Sequence, residues 1–223
     1  MLPTALTFLK DLKQNNNREW FSANRKTYLE IKNWLELTIL DIIQETAKFD
    51  SEVKFLTPKD ALYRINRDTR FSNDKAPYKT NYGGILGGIG SNKGKVPGYY
   101  FELNHLGQIR AGGGWYIVDG QNLLKIRQQI NKNPKPLEKI INQAEFKKTF
   151  AELWPNKLEN APRGFGKDNP NIELLKYKSF VGINNTDCTN FSDEQLKRFI
   201  LESFAAVSPL VSYLRQVQFT DNQ

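Results

Sequence analysis

The order of hydrophobic patterns along the chain is the feature that most restricts its fold. Apolar residues recur at helical spacing near the N-terminus and again in the last part of the chain, whereas short alternating stretches occupy the middle. A run of strands flanked by helices is typical of an α+β fold. We therefore predict a central, mainly antiparallel sheet covered by helices, with a long N-terminal helix and a helical C-terminal region.

The N-terminal helical part covers about residues 4–47. Thr4 can cap a short first helix, which a polar run then ends. A long second helix is predicted over roughly residues 17–47, because Asn16 and Glu19 resemble a capping box and apolar residues follow them at helical spacing.

The strand-rich middle covers about residues 55–118. Its predicted strands are Ala61–Arg67, Thr80–Leu86 and a hairpin formed by Tyr99–Leu103 and Gln108–Ala111. The glycines of Gly87–Gly94 predict a flexible connection, and Gly112–Gly114 predicts a bend or a bulge.

The C-terminal part, about residues 120–217, is predicted to be mainly helical. Its expected elements are helices Asn122–Ile130 and Pro136–Leu153, a short helix Asn171–Lys176, a strand Ser179–Ile183 and a last helical region that begins at Ser192. Residues 154–170 are polar and rich in Gly and Pro, which indicates a long loop. We expect the 223 residues to form a single domain.

The balance of charge favours anionic partners. The chain has 32 Lys and Arg against 24 Asp and Glu, a formal net charge of +8. Such a charge attracts phosphate-bearing ligands, nucleic acids and acidic surfaces over long range. The cations are spread along the whole chain without a basic tail, so nucleic acid is the less favoured partner.

Cysteine and hydropathy patterns bear on the cellular location. Cys188 is the only cysteine, and the N-terminus lacks the pattern of a signal peptide, so a reducing cytoplasm is expected. No apolar run approaches the roughly 18 residues that cross a bilayer. One His and one Cys predict no metal site of the usual kind. No cofactor and no oligomeric state follow from these features.

The densest cluster of charge lies between Lys59 and Lys79, where six cations face three anions and the net charge is +3. Arginine binds carboxylates and phosphates through two nitrogens, and lysine adds a point charge. The segment therefore predicts a pocket for a small anionic ligand. The expected binding residues are Arg64, Arg67, Arg70, Lys75 and Lys79. Asp68 or Asp74 would orient the ligand or act as an acid or base.

The same charges also permit a structural interpretation. Arginines and aspartates between Arg67 and Asp74 can pair among themselves and hold an irregular loop, with Phe71 and Tyr78 as its apolar contacts. Buried charges require such pairing, because removing an unpaired ion from water costs several kcal/mol. A binding pocket and a structural clasp are both compatible with the sequence.

Several sequence blocks, taken together, are specific enough to indicate a protein family. They are Phe8–Leu9, Asn16–Phe21, Arg64–Lys79, Gly98–Tyr100, Gly113–Trp115, Leu124–Ile130, Pro162–Phe165 and Leu174–Lys176. The chain that carries them resembles a family of uncharacterised proteins, domain of unknown function 2461. The resemblance runs along most of the chain, and it implies that Arg163 and Lys176 are family features that would bring further cations to the pocket. It implies no reaction, cofactor or partner. A proline that the family usually has soon after the Gly-Trp pair is missing here.

Three functions remain open. The first is a cytoplasmic protein that binds a small anionic ligand at the Arg64–Lys79 block. This hypothesis includes an enzyme that acts on the ligand. The second is a nucleic-acid-binding module, in which aromatic rings near cations stack on bases. Its candidate rings are Tyr63, Phe71, Tyr78, Tyr99 and Tyr100. The third is an interaction protein whose charged loop is structural.

Overall fold

The computed structural model describes residues 1–70, 72–88 and 93–219. Its helices are α1 Leu2–Gln14, α2 Arg18–Ala23, α3 Arg25–Thr46, α4 Pro58–Ala61, α5 Gly120–Lys132, α6 Lys135–Ile141, α7 Ala144–Phe150, α8 Ile172–Leu175 and α9 Asp193–Phe219. Its strands are β1 Asn81–Leu86, β2 Gly98–Asn104, β3 Gln108–Trp115 and β4 Phe180–Asp187. Phe71 and residues 89–92, half of the predicted Gly87–Gly94 connection, lie outside the described residues.

The α+β prediction is confirmed. The four strands form one antiparallel sheet in the order β1-β2-β3-β4, with helical segments before, between and after them. In the described part of the chain, no helix is both long enough and apolar enough to cross a membrane.

Residue contacts group the chain into two compact units. Unit 1 contains residues 1–86, 100–111 and 185–202, and unit 2 contains residues 87–99, 112–184 and 203–223. The boundaries between the units fall inside β2, β3, β4 and α9. The single domain that the length suggests stays a prediction.

The core of unit 1 forms between helices and one face of the sheet. Ile31 and Ile39 of α3 are buried, as are Leu9 and Leu12 of α1, since each helix has an apolar stripe at helical spacing. Burying a side chain of this size contributes about 1.5–3 kcal/mol relative to exposure.

The predicted helix over residues 17–47 is interrupted at Asn24, and α2 and α3 are separate. Asn24 has φ −101° and ψ 13°, and its side-chain amide donates a hydrogen bond to the carbonyl of Trp20 at 2.9 Å. At this interruption Trp20 contacts Phe8, and Phe21 stacks on Tyr78. Periodicity alone does not report this change of direction.

The strand predicted at Ala61–Arg67 is wrong. Thr57 and Asp60 form a capping box that begins α4, and Ala61 is the last residue of that helix. The following residues pair with their neighbours only through isolated bridges, Leu62 with Gly84 and Asn66 with Tyr78.

Two predicted boundaries in unit 2 also differ from the structure. The helix predicted at Pro136–Leu153 is divided into α6 and α7, which meet at Asn142 and Gln143. Gly112–Gly114 continue β3 to Trp115, so they form no bend that ends the strand, whereas the bulge that was the alternative stays a prediction. Gly114 has φ +124°, which favours glycine. The backbone of β4 also approaches Gly112 and Gly114 so closely that it leaves no space for a Cβ atom.

Alternation along β2 gives the sheet two different faces in unit 1. Phe101 and Leu103 are buried, whereas Tyr100 and Glu102 are half-buried and turned to the opposite face. Arg110 is exposed between two buried residues of β3 and belongs to the same outer face. This outer face is polar, and it is adjacent to the charged block.

Candidate functional site

The Arg64–Lys79 block folds back on itself at the start of β1. The Arg67 amide donates to the carbonyl of Pro77 at 2.9 Å, and the Lys79 amide donates to the carbonyl of Ile65 at 2.8 Å. These bonds bring the first and last residues of the block together. Its two ends are therefore ordered although it is not a regular hairpin.

Asn16 fixes the position of the end of the block. Its side chain donates to the carbonyl of Tyr78 at 2.9 Å and accepts from the amide of Tyr78 at 3.1 Å. The ring of Tyr78 stacks on Phe21 with centroids 3.9 Å apart. The backbone at Lys79, which follows directly, is thus held against the α1–α2 connection.

Arg67 acts as a clasp inside the block. Its guanidinium donates to Asp74 at 2.6 Å and to the carbonyl of Ala76 at 3.1 Å, and it reaches the hydroxyl of Ser72 at 3.4 Å. Only 26% of its side chain is exposed. The amide of Ala76 and the guanidinium of Arg67 lower the pKa of Asp74. Arg67 is therefore largely committed to the loop itself.

Arg70 and Lys75 are satisfied at the surface. Arg70 donates two hydrogen bonds to Asp68, at 3.0 and 2.7 Å, and 76% of its side chain is exposed. These bonds lower the pKa of Asp68 to about 2. Lys75 donates to the carbonyl of Thr69 at 3.1 Å. Asp68 is thus ionised at neutral pH, and its role as a catalytic acid or base stays a prediction, as does that of Asp74.

Lys79 differs from these cations. Its ammonium lies over the ring of Tyr63, 5.1 Å from the centroid. Burial, and secondly the positive charge of Arg64, lowers the pKa of Lys79. Among the described residues, no carboxylate forms an ion pair with Lys79 or with Arg64. Lys79 is therefore a half-buried cation that has no carboxylate partner in the part of the chain that the structure describes.

Two open clefts meet at Lys79. Cleft A, of about 430 Å³, is lined by Tyr63, Arg67, Asp68, Lys79, Asn81 and Gly83. Cleft B, of about 420 Å³, is lined by Lys13, Asn16, Arg67, Asp74, Ala76, Tyr78, Lys79, Thr80 and Asn81. Arg67, Lys79 and Asn81 border both clefts, so the side of the block next to β1 offers a concave and cationic surface.

A polar cluster on the outer sheet face adjoins cleft A. Glu102 accepts hydrogen bonds from the side-chain amide of Asn81 at 2.7 Å and from the hydroxyl of Tyr100 at 2.8 Å. Burial, and secondly the charge of Glu102, raises the pKa of Tyr63. Burial and the bond to Glu102 raise the pKa of Tyr100 as well.

Sequence reasoning did not identify Asn81 or Glu102 as site residues. The available signal was weak, since each is a single polar residue at an outward position of a strand. Their relation depends on pairing between β1 and β2, which joins residues 21 positions apart.

The two remaining predicted cations belong to unit 2. Lys176 forms an ion pair with Glu173 at 2.9 Å, and Glu173 also pairs with Lys157 at 3.3 Å. Arg163 is exposed in the long loop. Their contribution to an anion site stays a prediction.

The rings proposed for base stacking have different environments. Tyr99 is fully buried and packs against Phe204, so it cannot contact a nucleic acid base. Tyr78 is stacked on Phe21, whereas 41% of Tyr63 is exposed. Phe71 lies outside the described residues.

Metal ligands and a reactive thiol are the other groups that could carry chemistry in this chain. Over residues 1–70, 72–88 and 93–219, no group of three or more His, Cys, Asp or Glu side chains is arranged to hold a metal ion. Cys188 is buried and its thiol donates to the carbonyl of Gly107, while burial raises the pKa of this thiol to about 11. A reactive thiolate is therefore not favoured at Cys188.

Comparison with known proteins gives one match. A family model described as conserved hypothetical protein (DUF2461) matches residues 4–213. No curated protein and no solved structure matches the chain.

Proposed function

The chain belongs to the DUF2461 family of conserved hypothetical proteins, in agreement with its sequence blocks, and we propose that it binds a small phosphate- or carboxylate-bearing ligand in cleft A. The family description names no reaction. The proposal therefore rests on the chemistry of the cleft.

The observation that carries the proposal is the environment of Lys79. Taking a cation partly out of water is unfavourable unless an opposite charge compensates it. Burial and Arg64 both act against the charged form of Lys79, and no carboxylate of the described chain pairs with it. A bound anion would supply the missing counter-charge.

The neighbours of Lys79 suit an anion of small size. Arg64 adds a second positive charge, although it lies at the surface. Arg67 lines cleft A while its own bonds to Asp74 and Ala76 hold it in place. Cations that are held in position bind an anion at a lower entropic cost than free side chains do.

Calorimetric titration with inorganic phosphate and with citrate, at constant ionic strength, tests the proposal. We expect saturable binding to the wild-type chain and an affinity reduced by about tenfold or more in Lys79→Met, which keeps the apolar stem but removes the charge. Lys59→Met is the matched control, because Lys59 is an exposed lysine of α4 in the same unit.

An equal loss of phosphate affinity in both variants would show that phosphate binding depends only on the net charge of the chain. The proposal would be overturned if neither phosphate nor citrate bound to the wild-type chain or to the control variant. Thermal unfolding of each variant without ligand checks that the substitutions leave the fold intact.

A further inference from the structure

We infer that the ligand of cleft A carries an ammonium group in addition to its anionic group, and that Glu102 receives this ammonium. The inference rests on the proposed function of cleft A. It names the class of ligand: a small zwitterion whose two charges are separated by a short spacer.

The first support is the position of Glu102 beside the cleft. Lys79, Asn81 and Gly83 are alternate residues that line cleft A. A Cβ atom placed on Gly83 would lie 3.7 Å from the Cβ of Glu102, and Asn81 bonds directly to its carboxylate. The missing side chain at Gly83 leaves the approach to Glu102 uncovered on this side.

The second support is the hydrogen bonding of Glu102. Both of its bonds, from Asn81 and Tyr100, reach the same oxygen, Oε2, and both donors are neutral. In the described part of the chain, Oε1 accepts no hydrogen bond and no cation pairs with the carboxylate. Oε1 is therefore available to a donor that a ligand brings.

The third support is that Lys79 and Glu102 do not neutralise each other. Asn81 stands between them in the chain and donates its amide to Glu102, so the carboxylate is held on the Asn81 side. Alternate residues of an extended chain are about 7 Å apart, so Lys79 and Asn81, which holds Glu102, are separated by about the length of a small molecule.

A ligand with both charges complements this arrangement. Its anionic group meets Lys79 and its ammonium meets Glu102, where the ring of Tyr100 is close enough to add an aromatic surface. A ligand with both charges gains from two contacts of opposite sign, whereas a ligand with only the anionic group gains from one.

Glu102 has an alternative role as an anchor for Asn81 and Tyr100. Glu102→Gln separates the two roles, since the amide oxygen of Gln still accepts from both donors while the negative charge is lost. A purely structural Glu102 would leave the selectivity of the site unchanged in this variant.

The test compares two probes of similar size, ethyl phosphate and O-phosphoethanolamine, which differ by one ammonium group. We expect the wild-type chain to bind O-phosphoethanolamine about tenfold more tightly or better. In Glu102→Gln, the two probes should bind within about twofold of each other, with the affinity for ethyl phosphate nearly unchanged.

Equal binding of the two probes by the wild-type chain would overturn the inference and leave the proposed anion site standing. Binding of neither probe would overturn both. Because the comparison of probes uses the unaltered chain, it decides the inference even where Glu102→Gln fails to fold.

Discussion

Arg67 and Arg70 lie three residues apart in one charged block, yet their guanidinium groups have different surroundings. Arg67 is mostly buried and holds Asp74, Ala76 and Ser72, whereas Arg70 is exposed and pairs with Asp68. Exposed ion pairs add little to stability because water screens them, whereas a buried charged donor leaves its acceptors unsatisfied when it is removed.

We expect Arg67→Ala to lower the free energy of unfolding by about 1–3 kcal/mol, because the half-buried carbonyl of Ala76 loses its charged donor. Arg70→Ala is the matched control and should leave the urea midpoint unchanged, since its pair with Asp68 is exposed. Urea unfolding followed by circular dichroism measures both. Similar urea midpoints for the two variants would contradict the conclusion that Arg67 stabilises the block.

At the scale of elements, close contact between β3 and β4 depends on glycine. A Cβ atom at Gly112 would collide with the carbonyl oxygen of Gly182, and one at Gly114 would collide with that of Phe180. The atoms that an added Cβ would meet belong to the backbone of β4, which cannot move away without loss of strand pairing. A flexible side chain in the same place could change its conformation. These glycines are thus requirements of the sheet and not of a loop.

We expect Gly112→Ala to destabilise the chain by at least about 2 kcal/mol, because the added methyl group forces β3 away from β4. Gly120→Ala is the control: nothing lies within 4 Å of its added Cβ, and alanine is the better residue in the first turn of α5. Thermal unfolding should therefore show a lower midpoint for the first variant and an equal or higher midpoint for the second. A tolerated Gly112→Ala would mean that the strands are less closely paired.

At the scale of the whole molecule, the net charge of +8 attracts any polyanion, and the cations are spread along the sequence without a basic tail. Of the rings proposed for base stacking, Tyr99 is buried and Tyr78 is covered by Phe21. Tyr99 and Tyr78 are therefore not available for stacking, whereas Tyr63 is exposed and its contribution can be tested.

We expect a single-stranded oligonucleotide of ~20 nucleotides to bind weakly and to be released between ~50 and ~200 mM salt, because phosphate contacts release counterions. Tyr63→Ala should not change this affinity, and Tyr116→Ala, another exposed tyrosine, serves as its control. Fluorescence anisotropy measures all three chains. Affinity that persists at the higher salt and falls only in Tyr63→Ala would favour the nucleic-acid function over the small-ligand function.

Local patterns in the sequence were sufficient for the fold class and for most elements. The apolar stripes of α1 and α3, the hairpin of β2 and β3 and the short helix α8 depend on neighbouring residues, and such patterns are visible along the chain. Two failures, at Asn24 and at Ala61, mark places where packing or capping overrode periodicity.

The sequence by itself determined where the charge is concentrated, because composition places six cations between Lys59 and Lys79. Only the tertiary structure decided which of them are satisfied: Arg67 and Arg70 have carboxylate partners within the block, whereas Lys79 has none among the described residues. It also decided that Glu102 joins Asn81 across two strands. The physical reason is that hydrogen bonds and ion pairs act over a few ångströms, and strand pairing sets those distances between residues far apart in the chain.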